Sequence, residues 1–408
     1  MSTNLPLRRT RGDLIATAVI ATICLIALLI AFFTAPIRQD HLSPAAEELT
    51  DAGTLAAVPE SLTESFTLPD TSPQARPLIV NGVIVTYNDG TITGTTPDGA
   101  TQWTYKRSAE LCGIAGAWGK VVAVYRTNIG CGDVVGINAL TGQYANTRSA
   151  GSTPVGTVFS SNDRVGILGI DREYSRTELW RSDLVRTVEY GDVKAPQEPD
   201  MQPHPGCMLT SALTRTELLA ITETCEDGTW LRFQDTTPED SRKPELHESV
   251  SIPDGAYLVA ISQDAAAVHD PAASTVTSYS QNGTQLHSAQ VPASNLLADS
   301  PSRILVPQTA DLPHNMTYFD GHNLLLLDPS DLAVTTIYQG ALGTGVGVSD
   351  RLLYPTTEGV AIADWNVDHP ERTIRVDRAG YTGPVTLGSA GATIVEKRGD
   401  TVVVLDAS

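Results

Sequence analysis

The sequence predicts an all-β fold, an eight-bladed β-propeller of four-stranded blades, preceded by one transmembrane helix. Three observations predict it. A hairpin written TITGTTPDGATQWTYKR at 91–107 returns as TVTSYSQNGTQLHSAQV at 275–291, 184 residues further on. Polar turns recur at a spacing near 44 residues along the chain. Beyond residue 37 no segment keeps a 3.6-residue apolar period for three turns, so no amphipathic helix is expected there.

The helix comes first. Leu14 to Pro36 is a run of 23 residues without a charge, and a helix of that length spans roughly 34 Å, enough for a hydrocarbon core of about 30 Å. Arg8, Arg9 and Arg11 precede it, whereas Arg38, Asp40, Glu47 and Glu48 follow. The arginine excess assigns residues 1–13 to the cytoplasm and everything after residue 36 to the outside. The run exceeds the 7–15 apolar residues of a cleaved signal peptide, and Cys24 lies deep inside it. It reads as an uncleaved signal anchor at 14–36. Residues 37–60 are polar and acidic, and they read as a flexible juxtamembrane linker spanning roughly 25–30 Å.

From residue 61 to 408 the chain is a succession of short strands punctuated by Gly, Asp, Asn and Pro, as in LIVNG, VIVTYNDG, TITGTTPDG and ATQWTYKR. The polar turn before the last strand of each unit falls at Asp98, Thr141, Asp183, Pro238, Asn282, Ser330, Asp368 and Ala407. The intervals are 43, 42, 55, 44, 48, 38 and 39 residues. That period belongs to four-stranded propeller blades rather than to a leucine-rich solenoid, and a sandwich gives no reason for the hairpin to return after four periods. The last unit ends at DTVVVLDAS without an outermost strand, and SLTESFTLP at 61–69 belongs to no unit of its own. Pairing the two closes the ring and removes an apolar edge.

Charge and cysteine content narrow the setting. Residues 37–408 carry 24 Lys and Arg against 46 Asp and Glu, a formal −22. Such a surface excludes a nucleic-acid partner, which needs clustered cations, and repels anionic headgroups. Cys112, Cys131, Cys207 and Cys225 form two close pairs, an even count that fits disulfides in an oxidising compartment. Three connectivities are open. The local one, Cys112 with Cys131 and Cys207 with Cys225, is favoured because each bridge then stays within one sheet.

On INALTGQYANTR (137–148), TPDGATQWTY (96–105) and LLLLDPSDLAVTTIY (324–338), the blades resemble the PQQ-like repeats of quinoprotein-type propellers. Trp103 stands where that pattern docks one blade on the next, whereas Trp118, Trp180, Trp230 and Trp365 stand elsewhere as packing residues. The resemblance implies either a dehydrogenase holding pyrroloquinoline quinone and calcium on the axis, or an envelope scaffold that binds proteins. The chain has no adjacent cysteines for the first, and no Glu/Asn/Asp set assignable to calcium, so no cofactor is predicted. The ratio of 22 Arg to five Lys resembles the product of a GC-rich, actinobacterial genome.

The eight histidines are scattered and form no metal or nucleophile motif. His269–Asp270 and Asp368–His369 read as turn pairs, and GTGVG at 343–347 reads as close backbone packing near the axis. Two loops remain for recognition. KAPQEPDMQPHPG at 194–206 offers Lys194, Gln197, Asp200 and His204. DTTPEDSRKPELHE at 235–248 offers Asp235, Arg242 and Glu245. The expected function is that of a membrane-anchored envelope propeller binding another envelope or membrane protein without catalysis. The alternative is a cofactor-dependent or carbohydrate-active enzyme with its site on the propeller axis.

Overall fold

The computed structural model of the protein describes residues 9–408 apart from 173, 194–198 and 295–303. The apolar run forms the helix Arg11–Thr34, long and apolar enough to cross a membrane and buried against nothing. Thr10 caps it: its hydroxyl accepts the Asp13 N–H at 3.2 Å while the Asp13 carboxylate accepts the Thr10 N–H at 2.8 Å.

Among the described residues the remainder forms eight antiparallel sheets, each a meander from an inner to an outer strand. Blade 1 runs from Leu78–Val80 to Thr101–Lys106, and blade 5 from Tyr257–Ile261 to Gln285–Gln290. The twice-written hairpin is therefore the outer half of blades 1 and 5, four blades apart. Seven of the eight polar turns fall between the third and fourth strands of successive blades, and Ala407 ends the third strand of blade 8.

The ring closes as the sequence predicts. Leu62–Pro69 pairs antiparallel with Thr401–Ala407, from Leu62 opposite Ala407 to Pro69 opposite Thr401, and supplies the outer strand of blade 8. Just beyond it the buried Asp70 accepts a hydrogen bond from Lys397 of blade 8 and another from the Tyr87 N–H of blade 1 at 3.0 Å.

The apolar core lies between successive blades. Val85, Ile92, Trp103 and Tyr105 of blade 1 pack on Val121, Tyr125 and Ile137 of blade 2. Trp103 docks as its position suggested, its Nε1–H donating to the Ala139 carbonyl at 2.8 Å. A Cβ at Gly142 would stand 2.4 Å from the Trp103 Cβ and 2.5 Å from the first atom of its ring, so that turn admits no side chain. Both disulfides take the local pairing: Cys112 with Cys131 in blade 2, and Cys207 with Cys225 in blade 4.

Two expectations need correction. His269–Asp270 is not a turn pair: both residues end the strand Ala265–Asp270, and His269 is fully buried with Nδ1 3.0 Å from the hydroxyls of Tyr257 and Tyr318. The buried polar partners that accommodate the imidazole come from Tyr257 at 12 residues' distance and Tyr318 in the next blade, beyond the reach of a local reading.

Residues 37–60 are not a free spacer either. His41–Ser43 adds a fifth strand to blade 1, with His41 opposite Lys106, and Asp40 pairs with Arg107 at 3.4 Å. The segment then crosses the ring as a strap. Ala45 and Leu49 donate to the Thr141 and Leu140 carbonyls of blade 2, and Gly53 accepts the Gly391 N–H of blade 8 at 3.0 Å. Further on, Arg372 of blade 7 donates to the Pro59 carbonyl at 2.6 Å. Leu42, Ala45 and Leu49 pack on the blade 1–2 core, and Leu55 and Val58 on the blade 7–8 core. These apolar residues are too sparse for a helical or strand period, but they are spaced widely enough to meet successive blades.

Strand alternation defines two rims. First-to-second and third-to-fourth turns share one, the strap rim; second-to-third turns and blade-to-blade connections share the other, the junction rim. The chain arrives from the helix at the junction rim, beside Lys106 at the end of blade 1's outer strand, and crosses the ring on the strap rim.

Candidate functional site in the axial channel

The inner strands surround a cavity on the axis of about 720 Å³, to which all eight blades and strap residues Asp51, Gly53 and Thr54 contribute. The wall mixes polar and apolar surface in nearly equal measure, and glycines of the inner strands permit close approach: a Cβ at Gly116 would meet Val80 at 2.8 Å, and one at Gly388 would meet Ile79 at 2.6 Å. GTGVG behaves as expected, since a Cβ at Gly343 would stand 2.1 Å from the Val385 carbonyl oxygen.

Charged side chains enter this wall from three blades. Residues 74–77 lead into blade 1 and are pinned on both sides. Gln74 donates to the Ile114 carbonyl of blade 2, and the Thr386 hydroxyl of blade 8 donates to the Ala75 carbonyl at 2.6 Å. Between these ties Arg76 lines the channel, half-buried, and its Nε is buried without a partner. Arg215, ending the inner strand of blade 4, sends Nη2 to Asp311 of blade 6 at 3.2 Å, while its Nη1 is buried without a partner. Burial pushes the Asp311 carboxyl up, against the pull of Arg215 and Arg76. Burial pushes Arg76 down to about 10, with Asp311 acting in the opposite sense, so it remains charged at neutral pH. The described lining holds no His, Cys, Lys or Glu. Its carboxylates are Asp51 of the strap and Asp311, and Arg215 and Arg76 favour the ionised form of the latter. The arrangement is equipped to bind an acceptor-rich group.

A second, smaller cleft lies on the strap rim between blades 6 and 7, where His314 leans on Trp365 at 5.1 Å among Asp328, Asp350 and Asp364. Arg351 is within 2.8 Å of Asp350 and 3.7 Å of Asp364, so this acidic cluster carries its own counterion.

Cys207, Cys225 and Glu223 present ligand atoms within 4.8 Å of one another. Their donors are already engaged: the sulfurs in a disulfide, and the carboxylate by Tyr190 Oη and Arg232 Nε, both at 2.7 Å. This group does not fit a metal in the oxidised protein.

The two loops singled out by sequence leave opposite rims and meet over the outer edge of blade 3. Lys194 and Gln197 lie outside the described residues. Gln202 of the first loop donates to the Glu189 and Arg242 carbonyls at 2.9 and 2.8 Å and accepts the Gly191 N–H at 3.1 Å. Ser241 of the second accepts the Glu189 N–H at 2.7 Å. Between them they satisfy the free edge of the strand Arg186–Gly191, which explains why that outer strand is almost wholly buried. Asp200 is exposed at a positive φ of 63°. His204 is half-buried and held below its ordinary value, first by burial and then by Arg232. Asp235 holds His247 at 2.9 Å, and Glu245 accepts the Glu239 N–H at 2.8 Å. Sequence reasoning missed Arg76, Arg215 and Asp311. Their residue types are unremarkable in a sequence, and only ring closure brings positions 76, 215 and 311 together.

No protein-family model matches the chain, and no curated protein matches its sequence. Solved structures do match its shape. One is described as dihydro-heme d1 dehydrogenase NirN in complex with DHE, with a TM-score of 0.52 and 12% identity over 86% of this chain and 76% of that one. Another is Sqt1 of Saccharomyces cerevisiae, with a TM-score of 0.48 and 10% identity over 89% and 100% of the two chains. AztD of Citrobacter koseri gives 0.48 and 14% over 80% and 91%. The shared property is the propeller. At such identity it carries no activity across, and the PQQ-like assignment has no family match behind it.

Proposed function

We propose that this chain is a membrane-anchored, extracytoplasmic binding propeller, non-enzymatic, that recognises another protein of the same cell envelope. The observation that carries this reading is the docked strap. After the helix ends at Thr34, only the turn Pro36–Gln39 and its neighbours precede His41, where pairing with blade 1 begins. A connection of some six residues spans at most about 20 Å. The helix thus serves as a short mount that holds the junction rim beside the outer face of the membrane, with the arginines before it on the inner side. A module so mounted meets membrane proteins before soluble ones. The disulfides Cys112–Cys131 and Cys207–Cys225 agree with the oxidising side of that membrane.

Binding rather than catalysis is supported by the channel, where the carboxylates of the described lining are Asp51, tied to the Gly53 N–H of its own strap, and Asp311, paired with Arg215. The proposed partner face is the junction rim, with Asp200 and His204 on its connection from blade 3 to blade 4 and Ile129 exposed on the second-to-third turn of blade 2.

The test is a photo-crosslinking amino acid placed at Ser108 or Ile129 on the junction rim, or at Ala100 or Asn282 on the strap rim, in cells of the source organism. A single membrane-protein adduct from the junction rim supports the reading. Adducts from the strap rim alone, or only with soluble proteins, contradict it.

A further inference from the structure

We propose that the axial channel is a binding site for a small organic anion, an oxyanion group on an apolar body, with the oxyanion held between Arg76 and Arg215.

The channel holds unmet donors. Arg76 has no hydrogen bond or ion pair to any described residue, and its Nε is shut away from solvent. Arg215 spends Nη2 on Asp311 but leaves Nη1 equally shut away and unmet. Both guanidiniums line the same cavity. Buried arginine is retained where it has a counterion, because the unpaired charge is expensive to hold out of water. Asp311 is engaged with Arg215, and Asp51, the other carboxylate in the lining, accepts the Gly53 N–H of its own strap at 2.7 Å. Neither supplies the partner that Arg76 lacks. What these donors have in common is a demand for acceptor oxygens carrying negative charge, the demand that the planar fork of arginine meets with carboxylate or phosphate.

The wall describes the rest of the ligand. A cavity of about 720 Å³ is in the range of small-molecule sites, roughly 300–1,000 Å³, and far larger than an inorganic anion needs. About half of its wall is apolar, from Leu78, Val80, Phe159, Leu168, Leu213 and Met316, and the other half is polar. A lining that combines apolar surface with a few charged donors selects an amphipathic molecule, the donors fixing its orientation. The Gln74 side-chain amide, bound to blade 2, and the Ala75 carbonyl, bound to blade 8, hold Arg76 in place before any ligand arrives, as pre-organised binding requires.

The test uses the full-length protein in lipid nanodiscs and three probes of one shape: 2-naphthoate, 2-naphthyl phosphate and the neutral 2-naphthalenemethanol. Calorimetric titration is expected to show at least one acid binding ten times more tightly than the alcohol, and which acid it is identifies the headgroup. Arg76→Gln should weaken that acid at least tenfold while leaving the melting temperature of the ligand-free protein unchanged or higher, because it removes an unmatched charge. Arg76→Lys should fall between the two. The comparison of acid with alcohol on the unaltered protein does not depend on any variant folding. Equal affinity for acids and alcohol, no binding of either acid at 10 mM, or undiminished acid affinity in a folded Arg76→Gln protein would each overturn the proposal.

Discussion

Replacing Asp70 by alanine tests the closure of the ring at its tightest point. Asp70 follows the strand that completes blade 8, and its side chain is 1% exposed while that of Lys397 is 5% exposed. One carboxylate oxygen accepts the Tyr87 N–H of blade 1 at 3.0 Å and the Ser72 N–H at 3.2 Å; the other receives the Lys397 ammonium. The alanine variant removes all of these and leaves Lys397 with the residue-70 carbonyl at 2.9 Å and the Ser72 hydroxyl at 3.3 Å. Breaking a buried pair from one side costs about 3–5 kcal/mol, because the remaining charge stays buried. With an unfolding entropy of about 2.1 cal/mol/K per residue over about 350 residues, the melting temperature should fall by about 4–7 °C. Adding Lys397→Met should restore most of the loss, since an apolar pair of similar volume is often no worse than an ion pair. The assay is calorimetric unfolding of the detergent-solubilised protein. A fall of less than about 1.5 °C in Asp70→Ala, or no recovery in the double variant, refutes the reasoning and removes Asp70 from the closure.

Other outcomes follow from the same geometry. Trp103→Ala should lose about 3–5 kcal/mol, because it empties the blade 1–2 core and leaves the Ala139 carbonyl without its donor; urea unfolding measures it. Removing both Cys112 and Cys131 should cost about 3 kcal/mol in the chain-entropy model, read as the difference in urea midpoint times slope. Burial holds His269 below its ordinary value of 6.5, against the pull of Asp320 and Asp270. A folded-state value depressed in this way leaves its contribution intact above pH 6.5 and removes it as the pH falls below that, so His269→Gln should flatten the stability profile between pH 6.5 and 5. Leu49→Asp should free the strap from the blade 1–2 core and open residues 44–60 to protease while the ring stays folded.

The propeller was legible because its signal is repeated. Each blade writes the same strand-and-turn grammar, so no single hairpin has to be read correctly, and the hairpin at 91–107 needed only its copy at 275–291 to set the period. Local disulfides were legible for a similar reason: the members of each pair are near in sequence and share a sheet. The strap was misread because its anchoring is carried by isolated residues, Leu42 and Leu49 on the blade 1–2 core and Leu55 and Val58 on the blade 7–8 core. Such spacing has no period, and polar composition around it imitates a linker. His269 was misread as part of a turn because the sequence Ala265–Asp270 ends in polar residues, whereas the fold brings two tyrosine hydroxyls to meet the ring. The channel arginines carry no local signal at all, since Arg76, Arg215 and Asp311 become neighbours only through the circle.

The mounting of the ring on the membrane is tested most directly by depth. A fluorophore on Ser108→Cys, at the junction rim of blade 1, is compared with one on Ala100→Cys, at the strap rim of the same blade, in a Cys24→Ser background and in vesicles containing quencher-bearing lipids. The strap geometry predicts strong quenching at position 108 and weak quenching at position 100. Equal quenching at the two positions, or stronger quenching at 100, would contradict it and return residues 37–60 to the role of a free tether.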